Sequence, residues 1–158
     1  MRADPGGPIQ GRLTIMGLLC TMARPSAVLE LTRFQCDLER GIVDLNPAGK
    51  ARTKKRRPVL PLVEAFRPWV SIAGGHIVEY RGKPVKKINA VWRGARVKAG
   101  LGEDVIPYSL RHTVATELAG RGVPELEISA MLGHTMPNNR TSARYVKFRP
   151  DYLVASTG

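Results

Sequence analysis

Hydrophobic residues recur at helical spacing near the start of the chain. The pattern runs from Leu13 to Leu31 and is interrupted by Pro25. Proline fits the first turn of a helix but not its interior. The pattern therefore predicts two helices that are joined at residues 23–26. The residues before them are rich in glycine and proline, so we expect residues 1–12 to form a flexible lead-in.

Short runs of β-type residues follow the predicted helices. Residues 42–45 and 59–62 flank a strongly basic stretch, which predicts an antiparallel hairpin with a basic turn. Pro58 and Pro61 have no backbone N–H to donate, so the second strand should lie at a sheet edge. A third run, at residues 77–80, would complete a small three-stranded antiparallel sheet.

Helical patterning resumes at residues 85–99 and again near residue 109. Ser109 is the predicted N-cap of a helix that ends near Gly122. Pro124 then opens another helix, and Gly133 closes it. The predicted fold class is α+β, mainly helical, with the small sheet packed among the helices.

The composition and the charge limit the classes of function that this chain could have. The chain has 158 residues, 43% of them hydrophobic, which suits one globular domain. Its 25 Lys and Arg against 13 Asp and Glu give a net charge of +12, which is typical of nucleic-acid binding. An anionic membrane surface is the rival explanation for this charge. No apolar run reaches the roughly 18 residues of a membrane span, so we expect a soluble, cytoplasmic protein.

The sequence offers no sign of a cofactor. Cys20 and Cys36 are the only cysteines and form no CxxC pair, so we expect reduced thiols. There is no P-loop, no HExxH motif and no cluster of cysteine and histidine ligands. We therefore expect neither a metal site nor a nucleotide site.

Three residues in the last third of the chain could act together on a phosphodiester. The planar, permanently charged fork of Arg111 suits phosphate oxygens, and the predicted first helical turn around it would also favour an anion. His134 follows a helix stop and could transfer a proton near neutral pH. Tyr145 could act as a nucleophile. Taken singly, a solvated arginine, a structural histidine and a packed tyrosine are the commoner interpretations.

The basic stretch also has two interpretations. A run of cations is most often a solvated loop tip, but in a DNA-binding protein it would contact phosphates. Its candidate DNA-binding residues are Lys50, Arg52, Lys55, Arg56 and Arg57.

Taken together, these motifs resemble one family. Tyr-Ser-Leu-Arg-His-Thr at residues 108–113, Leu-Gly-His at 132–134 and the tyrosine about ten residues later resemble the second conserved box of the tyrosine recombinases, the phage integrase family. Residues 22–31 are similar to the first box, and residues 53–62 resemble the hairpin that carries the catalytic lysine. The resemblance covers nearly the whole chain.

The resemblance implies a role for each matching residue. Arg24 and Arg111 would hold the scissile phosphate, and Lys54 would protonate the departing 5′ oxygen. His134 would assist proton transfer or position the phosphate. Tyr145 would attack phosphorus and form a 3′-phosphotyrosyl intermediate, which conserves the energy of the bond and needs neither metal nor ATP.

Three departures from the family pattern leave alternatives open, and one of them is an interval from His134 to Tyr145 that is slightly longer than usual. Tyr108 stands where the family commonly has histidine, and a phenol can donate a hydrogen bond but is a poor base at neutral pH. A catalytically impaired remnant therefore remains an alternative. Lys55 adjoins Lys54, so either could be the general acid, although Lys54 is the preferred candidate.

A rival from another class is a non-catalytic DNA-binding module. Residues 114–132 could form a helix-turn-helix with Gly122 in its turn. That interpretation explains the charge, but it leaves Arg24 and Tyr145 without a role. The family resemblance instead implies that residues 13–158 are a catalytic domain without the family's N-terminal domain. We expect it to bind double-stranded DNA, to be monomeric alone, and to form tetramers on DNA in its full-length form.

Overall fold

The structure is a computed structural model that describes residues 9–51 and 56–134. The helices in these ranges are α1 (Ile9–Thr21), α2 (Pro25–Glu30), α3 (Arg67–Ile72), α4 (Asn89–Lys98), α5 (Pro107–Gly120) and α6 (Glu125–Met131). The strands are β1 (Cys36–Asp37), β2 (Ile42–Asp44), β3 (Val59–Pro61), β4 (Glu79–Tyr80) and β5 (Lys83–Pro84).

Helix α1 is the central helix and contacts α2, α4 and α5. Gly17 allows a close approach to α2, because a Cβ at this position would lie 2.6 Å from Cγ1 of Val28. The buried hydroxyls of Thr14 and Thr21 donate to main-chain carbonyls one helical turn back, at 2.7 and 2.6 Å. These bonds satisfy the polar atoms that α1 carries into the core.

The predicted joint between the first two helices is confirmed. Helix α1 ends at Thr21, and α2 begins at Pro25, which occupies its first turn. The predicted lead-in was too long, because α1 already begins at Ile9 and packs from its first turns. Residues 1–8 lie outside the described part of the chain.

The predicted three-stranded antiparallel sheet is confirmed, with the order β1, β2, β3. Val43 of β2 faces Leu60 of β3, and both side chains are buried. Strand β3 lies at the edge of the sheet, as its prolines predicted. The basic segment therefore connects two paired strands.

One member of the sheet was predicted wrongly. The third strand is β1, a pair of residues that shows no alternating pattern, whereas the β-type run at residues 77–80 contributes β4 to a separate hairpin with β5. Arg81 and Gly82 have positive φ angles of 51° and 73°, which suits the tight turn of this local hairpin. The N–H of Val85 still donates to the carbonyl of Val78, next to this hairpin. Helix α4 therefore begins at Asn89 and not at residue 85, where the sequence pattern had predicted it.

The start of α5 also differs from the prediction. The helix begins at Pro107, so Ser109 is its third residue and not its cap. The Ser109 hydroxyl accepts a hydrogen bond from the N–H of Ile106 at 3.1 Å. Ser109 therefore accepts a hydrogen bond from a backbone N–H at the helix start, although it lies inside the first turn.

The core joins the first two helices to the sheet and to α6. Its members are largely aliphatic: Leu18, Met22, Val28, Leu31, Val43, Leu60, Phe66, Val70, Ile128 and Met131. None of the helices in the described ranges combines the length and apolar character that a membrane crossing requires.

Candidate active site

A cavity of about 160 Å³ lies where the α1–α2 joint, the base of the basic hairpin and α5 meet. Its lining is strongly positive, and none of its described lining residues is acidic. The cations are Arg24, Lys50, Arg56, Arg57 and Arg111. A concave site with this charge is suited to an anion.

Arg111 is the most deeply placed of these cations, with 3% of the residue exposed. Its guanidinium donates to the carbonyl of Met22 at the end of α1 and to the carbonyl of Leu132 at the end of α6, both at 2.5 Å. Met22 has a φ of 51°, a left-handed conformation that ends the helix where this carbonyl meets Arg111. Arg111 therefore ties two helix ends together and still has further N–H groups.

Burial lowers the pKa of Arg111, and the positive charge of Arg24 lowers it further, while Tyr108 opposes both effects. Arginine stays protonated at neutral pH because its ordinary pKa is so high. The two guanidinium groups are thus close enough to repel each other. Among the described residues, neither one forms an ion pair, so an incoming anion would relieve this repulsion.

The predicted reason for the position of Arg111 was wrong. Arg111 is the fifth residue of α5, beyond the first turn to which the helix dipole mainly contributes. Its hydrogen bonds to the carbonyls of Met22 and Leu132 hold it at the cavity instead.

Arg24 is the N-cap of α2 and has an extended backbone, with ψ at 147°. Its carbonyl accepts hydrogen bonds from Ala27 and Val28, which fixes its place at the helix start. The guanidinium donates to the carbonyl of Arg56 across the cavity at 3.4 Å. Arg24 is half-buried and faces the base of the hairpin.

The chain turn after α6 places His134 near Arg111 and Arg24. Gly133 has a φ of 68°, and the N–H groups of Gly133 and His134 bond to the carbonyls of Ala130 and Ser129. These bonds form the predicted glycine stop of the helix. A Cβ on Gly133 would lie only 2.6 Å from the carbonyl oxygen of Arg56, so the absence of a side chain lets the turn pack on the hairpin base.

The His134 side chain is exposed. Partial burial lowers its pKa first, followed by the positive charges of Arg111 and Arg24 and by His112. Since the ordinary pKa is 6.5, the imidazole is mainly neutral at pH 7. A neutral imidazole can accept a proton with one nitrogen and donate one with the other.

Tyr108 lies beside this group. Cζ of Arg111 is 5.8 Å from the centroid of the Tyr108 ring, and the His112 ring packs edge-on against the same ring at 5.0 Å. Tyr108 is therefore a close neighbour of the buried guanidinium. His112 lies on the exposed side of α5.

One carboxylate binds a cation at each end of the basic segment. Oε2 of Glu30 accepts from Nζ of Lys50 at 3.0 Å and from the guanidinium of Arg57 at 2.8 Å. The other predicted site residues in and beyond the hairpin lie outside the described ranges: Arg52, Lys54, Lys55 and Tyr145.

Sequence reasoning missed three contributors to this site. Glu30 lies 20 residues from Lys50, and no local pattern signals that contact. Asn46 lines the cavity and donates to the carbonyl of Lys50 at 3.0 Å, and its position in a turn was a usable signal. Gly133 was recognised as a helix stop, but its contact with the hairpin was not.

The described residues contain no group of three histidine, cysteine or acidic side chains that could hold a metal ion. Cys20 and Cys36 are free thiols, and burial raises the pKa of each to about 11. Both thiols are therefore protonated at neutral pH.

The sequence comparison assigns the chain to a known family. The pattern of the phage integrase family matches residues 2–150. The chain belongs to the phage integrase family, the tyrosine recombinases, as the motifs had indicated.

Curated relatives agree with this assignment. The chain is 28% identical over 152 residues to tyrosine recombinase XerA of Thermococcus kodakarensis, covering 90% of this chain and 52% of that protein. It is 30% identical over 129 residues to tyrosine recombinase XerC of Rhodospirillum centenum, covering 75% of this chain and 37% of that protein. The chain thus spans about half of the first relative's length and less of the second's.

Solved structures confirm the fold. The Tn1549 transposon integrase in complex with transposon right end DNA superposes with a TM-score of 0.64 at 18% identity, over 83% of this chain and 53% of that one. The crystal structure of XerA recombinase gives a TM-score of 0.55 at 17% identity, over 96% of this chain and 64% of that one. The mainly helical catalytic fold with its small antiparallel sheet is therefore established.

Proposed function

We propose that this chain is the catalytic domain of a site-specific recombinase that cleaves and rejoins double-stranded DNA through a 3′-phosphotyrosyl intermediate. The observation that carries the proposal is the convergence of Arg24 and Arg111 on one positive cavity, without an ion pair to either among the described residues. Two cations held close together favour an anion between them, and the family assignment makes a DNA phosphate the natural choice.

The two arginines stabilise the charge that develops on the non-bridging oxygens as phosphorus is attacked. Arg111 is fixed by backbone carbonyls, so it does not have to reorganise when the reaction begins. Arg24 lines the same cavity from the start of α2. Two guanidinium groups together can hold the phosphate in a defined orientation.

The proposed reaction exchanges one phosphodiester for another. The phenolic oxygen of Tyr145 bonds to phosphorus, the bond from phosphorus to the 5′ oxygen breaks, and Lys54 protonates that oxygen. His134, neutral at pH 7, accepts the phenolic proton or holds the phosphate. The free 5′ hydroxyl of a partner strand then attacks the phosphotyrosyl phosphorus, and the oxygen of Tyr145 leaves. The exchange therefore requires neither a metal ion nor ATP.

The remaining cations extend the contact along the DNA. Lys50, Arg56 and Arg57 lie on the cavity wall, and Arg52 and Lys55 belong to the same segment. Contacts of this kind are salt-dependent and largely independent of sequence. We propose that the domain is monomeric alone, that the full-length protein assembles as a tetramer on DNA, and that it acts in the cytoplasm.

Covalent capture tests the proposal directly. A nicked suicide substrate that carries the native site would be incubated with the wild type and with Tyr145→Phe, and the products separated on a denaturing gel. We expect a protein–DNA band with the wild type alone, while both proteins bind DNA equally. If both bind and neither forms the band, an impaired remnant or a non-catalytic binding module replaces the proposal.

A further inference from the structure

Glu30 is an acidic residue at the edge of a site built from cations. Its Oε2 bonds to both Lys50 and Arg57, which stand on either side of the basic hairpin, 7 residues apart in the chain. The carboxylate belongs to the last residue of α2, and Arg24 is the N-cap of the same helix. One short helix therefore carries a phosphate-binding arginine at its start and the hairpin contact at its end.

We infer that Glu30 is a positioning residue, which holds Lys50 and Arg57 at a fixed place relative to Arg24 so that DNA enters the cavity in one register. This inference rests on the proposed function. It assigns a role in DNA placement to an acidic residue that does not line the cavity.

The geometry of Arg57 supports this role. Only 16% of its side chain is exposed, and the bond from its guanidinium to Glu30 leaves other N–H groups for phosphate. A fixed guanidinium loses less freedom when it binds an oxygen anion than a free one does. Lys50 is half exposed and has two further N–H donors on its ammonium group.

Stability alone does not account for the arrangement. The side chain of Glu30 is 45% exposed, and ion pairs with such exposure contribute little to folding. The bond from Arg57, opposed by partial burial and reinforced by Lys50, lowers the pKa of Glu30, so the carboxylate stays ionised at neutral pH. A negative charge beside a DNA site weakens attraction to DNA, which makes orientation the better explanation for its presence.

Phosphate contacts fix the register of a protein on a duplex. If Lys50 and Arg57 were released from Glu30, they would still attract DNA, but the scissile phosphate would rest less accurately between Arg24 and Arg111. A displacement of about 1 Å can slow a reaction on the order of 100-fold. Loss of Glu30 should therefore separate DNA affinity from the rate of covalent capture.

The experiment compares Glu30→Gln with the wild type on the nicked suicide substrate at saturating DNA. We expect DNA affinity at low salt to be equal or higher, because one negative charge is removed, and the rate of capture to fall on the order of 10- to 100-fold. The matched control is Glu64→Gln, which removes a carboxylate from the exposed ion pair with Arg67. This control should capture DNA at the wild-type rate.

A double-mutant cycle with Arg57→Gln tests whether Glu30 influences the capture rate through Arg57. If Glu30 acts through Arg57, then Glu30→Gln should slow capture much less when Arg57 is already replaced. Additive effects, an unchanged capture rate in Glu30→Gln, or an equal loss of binding and capture would each overturn the inference. If the wild type itself gives no capture, the proposed function fails first, so the two failures are distinguishable.

Discussion

Arg111 and Arg57 line the same cavity, but they are held in different ways. Arg111 is buried and donates to backbone carbonyls at the ends of two helices. Arg57 is paired with the partly exposed carboxylate of Glu30. We call Arg111 and the neighbouring turn at Gly133 and His134 the anchored side. The hairpin side consists of Lys50, Arg56 and Arg57, which line the cavity.

The two sides use positive charge differently. On the anchored side, the groups proposed for catalysis are also part of the fold, because Arg111 connects α1 to α6. On the hairpin side, the cations contribute little to the core and are available to a ligand. Substitutions on the anchored side should therefore cost stability as well as activity, and substitutions on the hairpin side mainly activity.

The largest effect should come from Arg111→Ala. It removes two charge-assisted hydrogen bonds and leaves buried carbonyls without partners, so the free energy of unfolding should fall by about 3 kcal/mol. Arg24→Ala should cost less than about 1 kcal/mol, because its side-chain hydrogen bond to the carbonyl of Arg56 is long, at 3.4 Å. Urea unfolding of both variants checks this, and equal losses would show that the hydrogen bonds of Arg111 to the helix ends do not stabilise the fold.

Gly133→Ala should have the next largest effect. The added Cβ meets both a left-handed backbone and the carbonyl of Arg56, so we expect a loss of about 2 kcal/mol of stability and slower covalent capture. Gly122→Ala is the matched control, since Gly122 has a φ of 82° and an added Cβ there would meet no atom within 4 Å. Its free energy of unfolding should fall by only about 1 kcal/mol, because alanine is strained in a left-handed backbone conformation. Identical losses in thermal or urea unfolding would mean that the contact with Arg56 is unimportant.

Arg56→Gln should change DNA binding without changing the fold. Loss of one phosphate contact should reduce the slope of log affinity against log salt concentration by about 0.9. Its stability should stay within about 0.5 kcal/mol of the wild type. Arg121→Gln serves as the control, because Arg121 pairs with Glu117 at the far end of α5. An unchanged slope for Arg56→Gln would show that Arg56 does not contact a DNA phosphate.

The smallest effect concerns the titration of His134. Its pKa in the free protein should lie below 6.5, and Arg24→Gln should raise it because one nearby positive charge is lost. Arg121→Gln should leave it unchanged. Proton NMR across the titration range of histidine gives the values. A pKa of His134 that is insensitive to Arg24 would show that the charge of Arg24 does not act on this imidazole.

Local features of the fold could be predicted from sequence. Pro25 marked the joint between α1 and α2, the basic run marked a hairpin, and Gly133 marked a helix stop. Each signal depends on a few neighbouring residues whose backbone preferences are strong. The family motifs then named Arg24 and Arg111, which line one cavity, and His134, which lies near both.

Long-range features could not be predicted in the same way. Strand β1 has only two residues, so its pairing with β2 leaves no pattern to detect. The bond from Arg111 to Met22 spans 89 residues, and the bond from Arg57 to Glu30 spans 27. These contacts depend on the packed fold. The helical position of Arg111 was misjudged for a local reason, because α5 begins at Pro107 and not after Ser109.

Attack of Tyr145 on a phosphate held in the positive cavity is the step on which the proposed function depends. The most direct test is to trap the covalent complex on a nicked duplex with the native site, digest both components, and locate the attached nucleotide by mass spectrometry. We predict a 3′-phosphonucleotide on Tyr145, and its loss in Arg24→Ala, which should remain folded. A wild-type protein that binds this duplex without forming an adduct, or that forms one at another residue, would contradict the proposed mechanism.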